Sequence, residues 1–305
     1  MTRGNQSHIT EFLLLGLTSD PKQQVWLFAS FLVMYLVNVG GNSVIIAAIR
    51  GDVRLHAPMY FFLSNLSFVD ICFTNVIVPQ MLANTKAILF AQCLAQMYFF
   101  VAFGTTDSFL LAAMALDRYV AICHPLRYTA AMNPRRCFQL VTASWLVSHL
   151  HSLTHTIVMA RLSFCGPNTI HHFFCDVQPL LTLSCSDTSV NELLAFTEGS
   201  LVIMSPFIFI TVSYVYITHA VLRVPSRRGR YKVFSTCGSH LMVVALFYGT
   251  VISVYIRPSS TYSVTKDRVI TVIYTVVIPM LNPFIYSLRN KDMKQAMKKL
   301  MRKTD

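Results

Sequence analysis

"MALDRYVAICHPLRY", residues 114–128, decides the fold. An apolar run ends in Asp117, Arg118 and Tyr119, and then gives way to His124 and Arg127. Behind it the chain runs back to residue 94 with Asp107 as its one charged group. That exceeds the ~20 residues a helix needs to cross a bilayer. Residues 94–122 are therefore predicted to span a membrane, with the Asp-Arg-Tyr triplet at one mouth.

Six further stretches meet the same length: roughly 25–49, 58–82, 138–160, 192–222, 232–256 and 268–288. The second, fourth and fifth spans look the most polar. The 305 residues are 54% hydrophobic and 12% charged, about half the charge of a soluble domain. The expected class is an all-α membrane protein, a seven-transmembrane helix bundle. There is no internal repeat or linker that would mark a second domain.

The net charge of +12 would suggest a nucleic-acid partner in a soluble protein, but here the basic residues fall between apolar segments. If Arg50 and Arg54 lie inside, so do Arg127, Arg135, Arg136, Arg223, Arg227, Arg228, Arg230, Lys232 and the tail after Arg289. The other side holds only Arg3, Lys22, Lys86, Arg161, Arg257, Lys266 and Arg268, so the N-terminus is expected outside. The expected division is an extracellular segment 1–24, a membrane domain 25–289 and a cytoplasmic portion 290–305. Phe12–Leu17 is too short for a signal-peptide core, so the first span is expected to act as an uncleaved anchor. Asn5-Gln6-Ser7 is an outer glycosylation acceptor, whereas Asn65-Leu66-Ser67 falls inside a span and is silent.

Cys93, Cys165, Cys175 and Cys185 fall on the outer, oxidising side, and spacing alone leaves their three pairings open. They imply a stapled lid over residues 161–191. Ser189-Val190-Asn191-Glu192 has the form of a capping box that opens the fifth span. Past residue 290, Met293, Ala296, Met297, Leu300 and Met301 share one face among lysines, which predicts a short amphipathic eighth helix on the anionic inner leaflet.

Carboxylates at mid-span cost on the order of 2.5–3.5 kcal/mol, so Asp70 and Asp107 need partners. Asn42, Asn282 and Ser108 lie at similar depth and could complete a polar cluster holding a cation or water. Pro279 and Pro283 each free a backbone carbonyl and should kink the seventh span, presenting Asn282 and Tyr286. Arg118 can pair with Asp117 or reach Tyr214 and Tyr286 across a crevice, as a two-state element would require.

Read in order, "GNSVI" around Asn42, "PMYFFLSNLSFVD" (58–70), "MALDRYVAICHPLRY", "KVFSTCGSHL" (232–241) and "PMLNPFIYSLRN" (279–290) resemble the motifs of odorant receptors, a branch of the rhodopsin-like G-protein-coupled receptors, of the tetrapod-type class. "EFLLLGL" (11–17) fits the same pattern. The resemblance covers nearly the whole chain. It implies activation and G-protein coupling through Asp117, Arg118, Tyr119, Tyr214, Lys232, His240, Asn282, Pro283 and Tyr286. It also implies Cys93–Cys175 and Cys165–Cys185 bridges, and a sodium ion at Asp70 and Asp107. Many members carry Glu where this chain has Asp107. Leu116 and Val233 depart from a usual Tyr and Ala, and "FYGT" (247–250) lacks the Trp of other rhodopsin-like receptors, leaving Tyr248 for the equivalent contact.

Helical spacing groups Phe100, Val101, Gly104, Thr105 and Ser108 on one face, and Tyr248, Val251, Ile252 and Tyr255 on another. With Glu198, Val202, Val272 and Thr275 they predict a small, mainly apolar odorant pocket. No acid occupies the outer third of the third span, which disfavours amines; neutral aldehydes, ketones, alcohols and esters fit. No cofactor is required. His171, His172, Cys175 and Asp176 resemble a soft-metal cluster, but adjacent histidines do not converge easily and an oxidised Cys175 could not ligate.

The expected function is an odorant receptor of the plasma membrane, in olfactory cilia, that raises cyclic AMP through a stimulatory olfactory-type G protein. A small-solute transporter is the alternative class; it would be expected to show inverted repeats, and none is visible. An intramembrane enzyme would need a nucleophile and base, and neither G-x-S-x-G nor H-E-x-x-H occurs.

Overall fold

A computed structural model describes residues 10–18, 20–83, 86–165, 168–255 and 264–301. Asn5 lies outside them. Among the described residues seven long helices form one bundle: α1 Pro21–Gly51, α2 Pro58–Leu82, α3 Phe90–Cys123, α4 Pro134–Ala160, α5 Ser189–Leu222, α6 Arg227–Tyr255 and α7. The last has three consecutive parts, Val264–Val272, a π turn Ile273–Val277 and Ile278–Arg289. A short α8, Lys291–Met301, follows.

The apolar stretches locate these helices, and polar caps extend them. Asp20 accepts a hydrogen bond from the Lys22 N–H at 3.0 Å and Asn133 from the Arg136 N–H at 2.9 Å. In both cases proline fills the first helical position, where its missing N–H costs nothing. The expected capping box at residue 189 does not form. Thr188 is the cap residue and its hydroxyl bonds Glu192 at 2.7 Å, while the Ser189 hydroxyl donates to Asp187 at 2.5 Å.

Helices α1, α2, α3, α5 and α7 are long and apolar enough to cross a membrane. Helix α4 is more polar, as expected. The second and fifth spans are not; the other polar helix is α6, which opens on a basic run.

The chain is not purely helical. Strands β1 (Glu11–Leu14), β2 (Ala87–Leu89) and β3 (Thr169–Ile170) form a sheet in the order β2-β1-β3, antiparallel on one side and parallel on the other. Phe12 and Leu14 turn inward, and Phe12 packs edge-on to Phe164 with ring centres 5.5 Å apart. This sheet closes one end of the bundle, the lid end.

Helix α3 runs through the centre, packed on α2, α4, α5 and α6. At the opposite end the Asn290 side chain caps α8 through the N–H groups of Asp292 and Met293, and its amide donates to the Tyr60 hydroxyl at 2.7 Å. Met293 and Ala296 are buried in the bundle core, so part of the apolar face expected on lipid is spent on protein.

Pro283 leaves the carbonyl of Pro279 without its helical partner, and the Asn42 amide donates to that oxygen at 3.3 Å. The approach is close. A Cβ on Gly41 would sit 3.0 Å from the Pro283 ring, so glycine is what lets α1 reach the broken turn.

Candidate functional site

A cavity of about 540 Å³ opens below the sheet between α3, α4, α5, α6 and α7. The whole predicted α3 face lines it: Phe100, Val101, Gly104, Thr105 and Ser108, with Val251 from α6. Phe73, Phe247, Ile203, Met204 and Tyr274 add apolar wall, and Asp176, Val177, Gln178 and Leu181 come down from the lid.

The other predicted lining residues lie elsewhere. Tyr248 is buried behind the wall, sharing a 2.5 Å hydrogen bond with Ser108 and lying 4.7 Å from the Phe207 ring. It therefore fixes the position of a lining residue instead of lining the cavity itself. Ile252 packs against the core, as does Val272, and the Thr275 hydroxyl bonds the Thr271 carbonyl within α7. The side chain of Tyr255 lies outside the described residues.

On α5 the lining face is Glu192, Ala195, Phe196, Gly199, Ser200, Ile203 and Met204, about one residue, or 100°, out of phase with Glu198 and Val202. The π turns Ala195–Gly199 in α5 and Ile273–Val277 in α7 interrupt the 3.6-residue period on which a face assignment rests. Glu198 points at α4 instead. Its carboxylate meets His151 Nδ1 at 2.6 Å and His155 Nε2 at 3.0 Å. Both histidines line the cavity and were missed, although "HSLTH" (151–155) places them one helical turn apart on the most polar face available.

The lid is stapled twice. Cys93–Cys175 ties it to the start of α3, and Cys165–Cys185 closes the loop on itself. Gln96 adds a polar tie: its amide donates to the Val76 carbonyl at 3.0 Å and its oxygen accepts the Cys175 N–H at 2.9 Å. Cys175 is thus unavailable to a metal. The His171 carbonyl accepts from the Arg268 guanidinium at 2.8 Å, and among the described residues His171, His172 and Asp176 are not brought together as a ligand group.

His172 is buried in the lid against Phe173 and Phe174, with Nδ1 unpartnered. Burial first and the Arg268 charge second push its imidazole down to about 3. An unfolded lid takes up this proton near pH 6.5, whereas the folded lid does so only near 3. The neutral imidazole's contribution to stability is therefore complete above about pH 6.5 and is lost as pH falls toward 3. The purified protein should unfold at lower temperature at pH 5 than at pH 7.5, and His172→Gln should flatten that slope. An unchanged slope in the variant would remove His172 as its source.

Deeper in the bundle, Asp70 Oδ2 accepts from the Asn282 amide at 2.8 Å, and the Asn38 amide donates to the Asp70 carbonyl and to Thr74. Asp107 Oδ1, Asn42 Oδ1 and Asn282 Oδ1 are buried with no hydrogen-bond partner. These three oxygens are buried acceptors that the amide donors of the cluster leave unsatisfied.

At the α8 end the triplet is arranged differently from the expectation. Asp117 accepts from the Tyr128 hydroxyl at 2.8 Å and forms no ion pair with Arg118 among the described residues. Tyr128 lies in the short turn Tyr128–Ala131 before α4, a partner that sequence spacing does not nominate. Tyr119 contacts His124 at 3.1 Å. The Tyr214 hydroxyl pairs with His240 Nδ1 at 2.8 Å, while His240 Nε2 donates to the Leu111 carbonyl at 3.0 Å. Tyr214 is thus occupied by His240 instead of Arg118. Arg118 Nε and the Tyr286 hydroxyl are buried without partners. The side chain of Lys232 lies outside the described residues.

The family model described as "Olfactory receptor" matches residues 31–304. "Olfactory receptor 1L6" of Homo sapiens is 61% identical over 298 residues, 96% of this chain and 86% of that protein. "Olfactory receptor 1f45" of Rattus norvegicus is 59% identical over 305 residues, 99% of this chain and 97% of its own length. Among solved structures, squid rhodopsin superposes with a TM-score of 0.74 at 17% identity, over 94% of this chain and 88% of that one, which establishes the seven-helix fold. With a bundle of that architecture, a lidded cavity at one end and relatives that match almost end to end, the chain belongs to the olfactory receptor family of G-protein-coupled receptors and is not an enzyme.

Proposed function

We propose that this receptor binds small, mostly neutral volatile molecules in the cavity beneath the lid and activates a stimulatory, olfactory-type G protein that raises cyclic AMP. The observation that carries the ligand class is the apolar majority of the lining, aromatic and aliphatic side chains among which Thr105, Ser108 and Ser200 supply hydroxyls, while Asp176, Glu192, His151 and His155 add ionisable groups from the lid, α5 and α4. A ligand of about ten heavy atoms needs ~0.8 kcal/mol per atom to reach a micromolar constant, so micromolar potency or weaker is expected. The basic-residue asymmetry favours the lid end outside the plasma membrane, with Asn5 glycosylated there. Olfactory cilia are the proposed location. The unpartnered oxygens of Asp107, Asn42 and Asn282 around Asp70 fit a sodium ion, which would hold the resting state by linking α1, α2, α3 and α7.

The test is cyclic AMP in cells expressing the receptor with the olfactory G protein, across aldehydes, ketones, alcohols, esters and short carboxylates. Gly104→Ala is the diagnostic variant. Its new Cβ would lie 3.7 Å from the Phe73 ring, an ordinary contact, so folding is preserved while the cavity shrinks. One methyl group in an apolar pocket changes binding by about 1–3 kcal/mol, so potencies should shift roughly tenfold or more in a ligand-dependent way. Unchanged potencies for every agonist would place the ligand elsewhere.

A further inference from the structure

The geometry points to a transition-metal site in the cavity wall, where His151, His155 and Glu198 provide three ligands for a zinc-class divalent cation and leave a fourth position open to the cavity. His151 and His155 are one turn apart on α4, so both imidazoles leave the helix on the same face. Glu198 comes from the π turn of α5 opposite. One ligand atom from each lies within 4.8 Å of the other two.

Two imidazoles, one carboxylate and an open position make up the donor set of known zinc centres, and nitrogen donors select zinc-class ions over calcium or magnesium. Tetrahedral ligands at about 2.0–2.1 Å from zinc stand roughly 3.3 Å apart. The present contacts of 2.6 and 3.0 Å must therefore open by about 0.7 and 0.3 Å. Glu198 can supply that movement: its side chain is 31% exposed, whereas the two histidines are buried. Both histidines line the cavity, so the fourth position would be taken by water or by a donor atom of a bound molecule. The ion would also clamp α4 to α5.

The test needs no odorant and is independent of the coupling assignment. Purified, tag-free receptor in detergent is titrated with Co²⁺, whose visible absorption reports tetrahedral coordination, and Zn²⁺ is added to displace it. One saturable equivalent with tetrahedral bands is expected in the wild type, together with a Zn²⁺-dependent rise in unfolding temperature. Glu198→Gln and His151→Ala should each weaken Co²⁺ binding at least tenfold. His149→Ala, which loses a contact to Tyr98 at 2.7 Å and ring packing on Trp145 and Phe103 but no ligand of the site, should retain it. Absence of tetrahedral bands in folded wild-type protein would overturn the site without reference to any variant. So would bands that persist in a Glu198→Gln, His151→Ala double variant, since they would belong to other ligands.

Discussion

Arg118→Ala, compared at equal surface density, should lower agonist-stimulated cyclic AMP by about a hundredfold while leaving the fold intact. In the present arrangement Arg118 Nε has no partner and Asp117 is held by Tyr128. The arginine's value lies in an open state, where Tyr214 would leave His240 and Tyr286 would find a donor. Two hydrogen bonds from a guanidinium at about 1.5–3 kcal/mol each, made only in that state, would shift the equilibrium by about 3 kcal/mol or more. Tyr214→Phe should reproduce part of the loss, because the same hydroxyl serves both arrangements and its removal weakens each. Normal signalling from Arg118→Ala would mean that the crevice opens without the arginine, and the role assigned to it would fall.

Cys175→Ser should nearly abolish surface delivery, with a far smaller deficit in Cys185→Ser. The first bridge spans 82 residues and joins the lid to α3, whereas the second spans 20 within one loop. Chain-entropy reasoning gives about 4.5 kcal/mol for the former and about 3.3 for the latter. Both are upper bounds in a protein whose unfolded helices stay in the bilayer. The larger difference is in packing. Cys175 is fully buried, and its N–H is held by Gln96, which also holds α2, so releasing it unseats three elements. Flow cytometry on an extracellular epitope would separate the two; equal loss in both variants would contradict this ranking.

How far the fold was legible depends on which forces act locally. Span lengths follow from apolar runs, and the α3 face from its 3.6-residue period, so Phe100 through Ser108 were identified from spacing alone. Helices α5 and α7 each contain a π turn, which breaks the 3.6-residue period, so the lining positions there are Ile203 and Tyr274 where Val202 and Thr275 were expected. Glu198 stood out as a lone charge, yet its partners lie on another helix. The same holds for Tyr128 with Asp117 and His240 with Tyr214: each pair is set by tertiary packing between segments that no local pattern connects. Bridges between four candidate cysteines came from family resemblance, because spacing could not choose among three pairings.

The three-stranded sheet has a consequence for biosynthesis. Its central strand, Glu11–Leu14, is translated first, but one neighbour is completed only at Leu89 and the other only at Ile170. One edge of the strand can therefore pair after two membrane helices have been made, but the other must wait through the synthesis of four. Closure of the binding chamber is in this sense a late quality-control event, coupled to the oxidation of Cys175 five residues beyond the last strand. Nascent chains stalled before residue 170 leave one edge of that strand open to pairing with another chain.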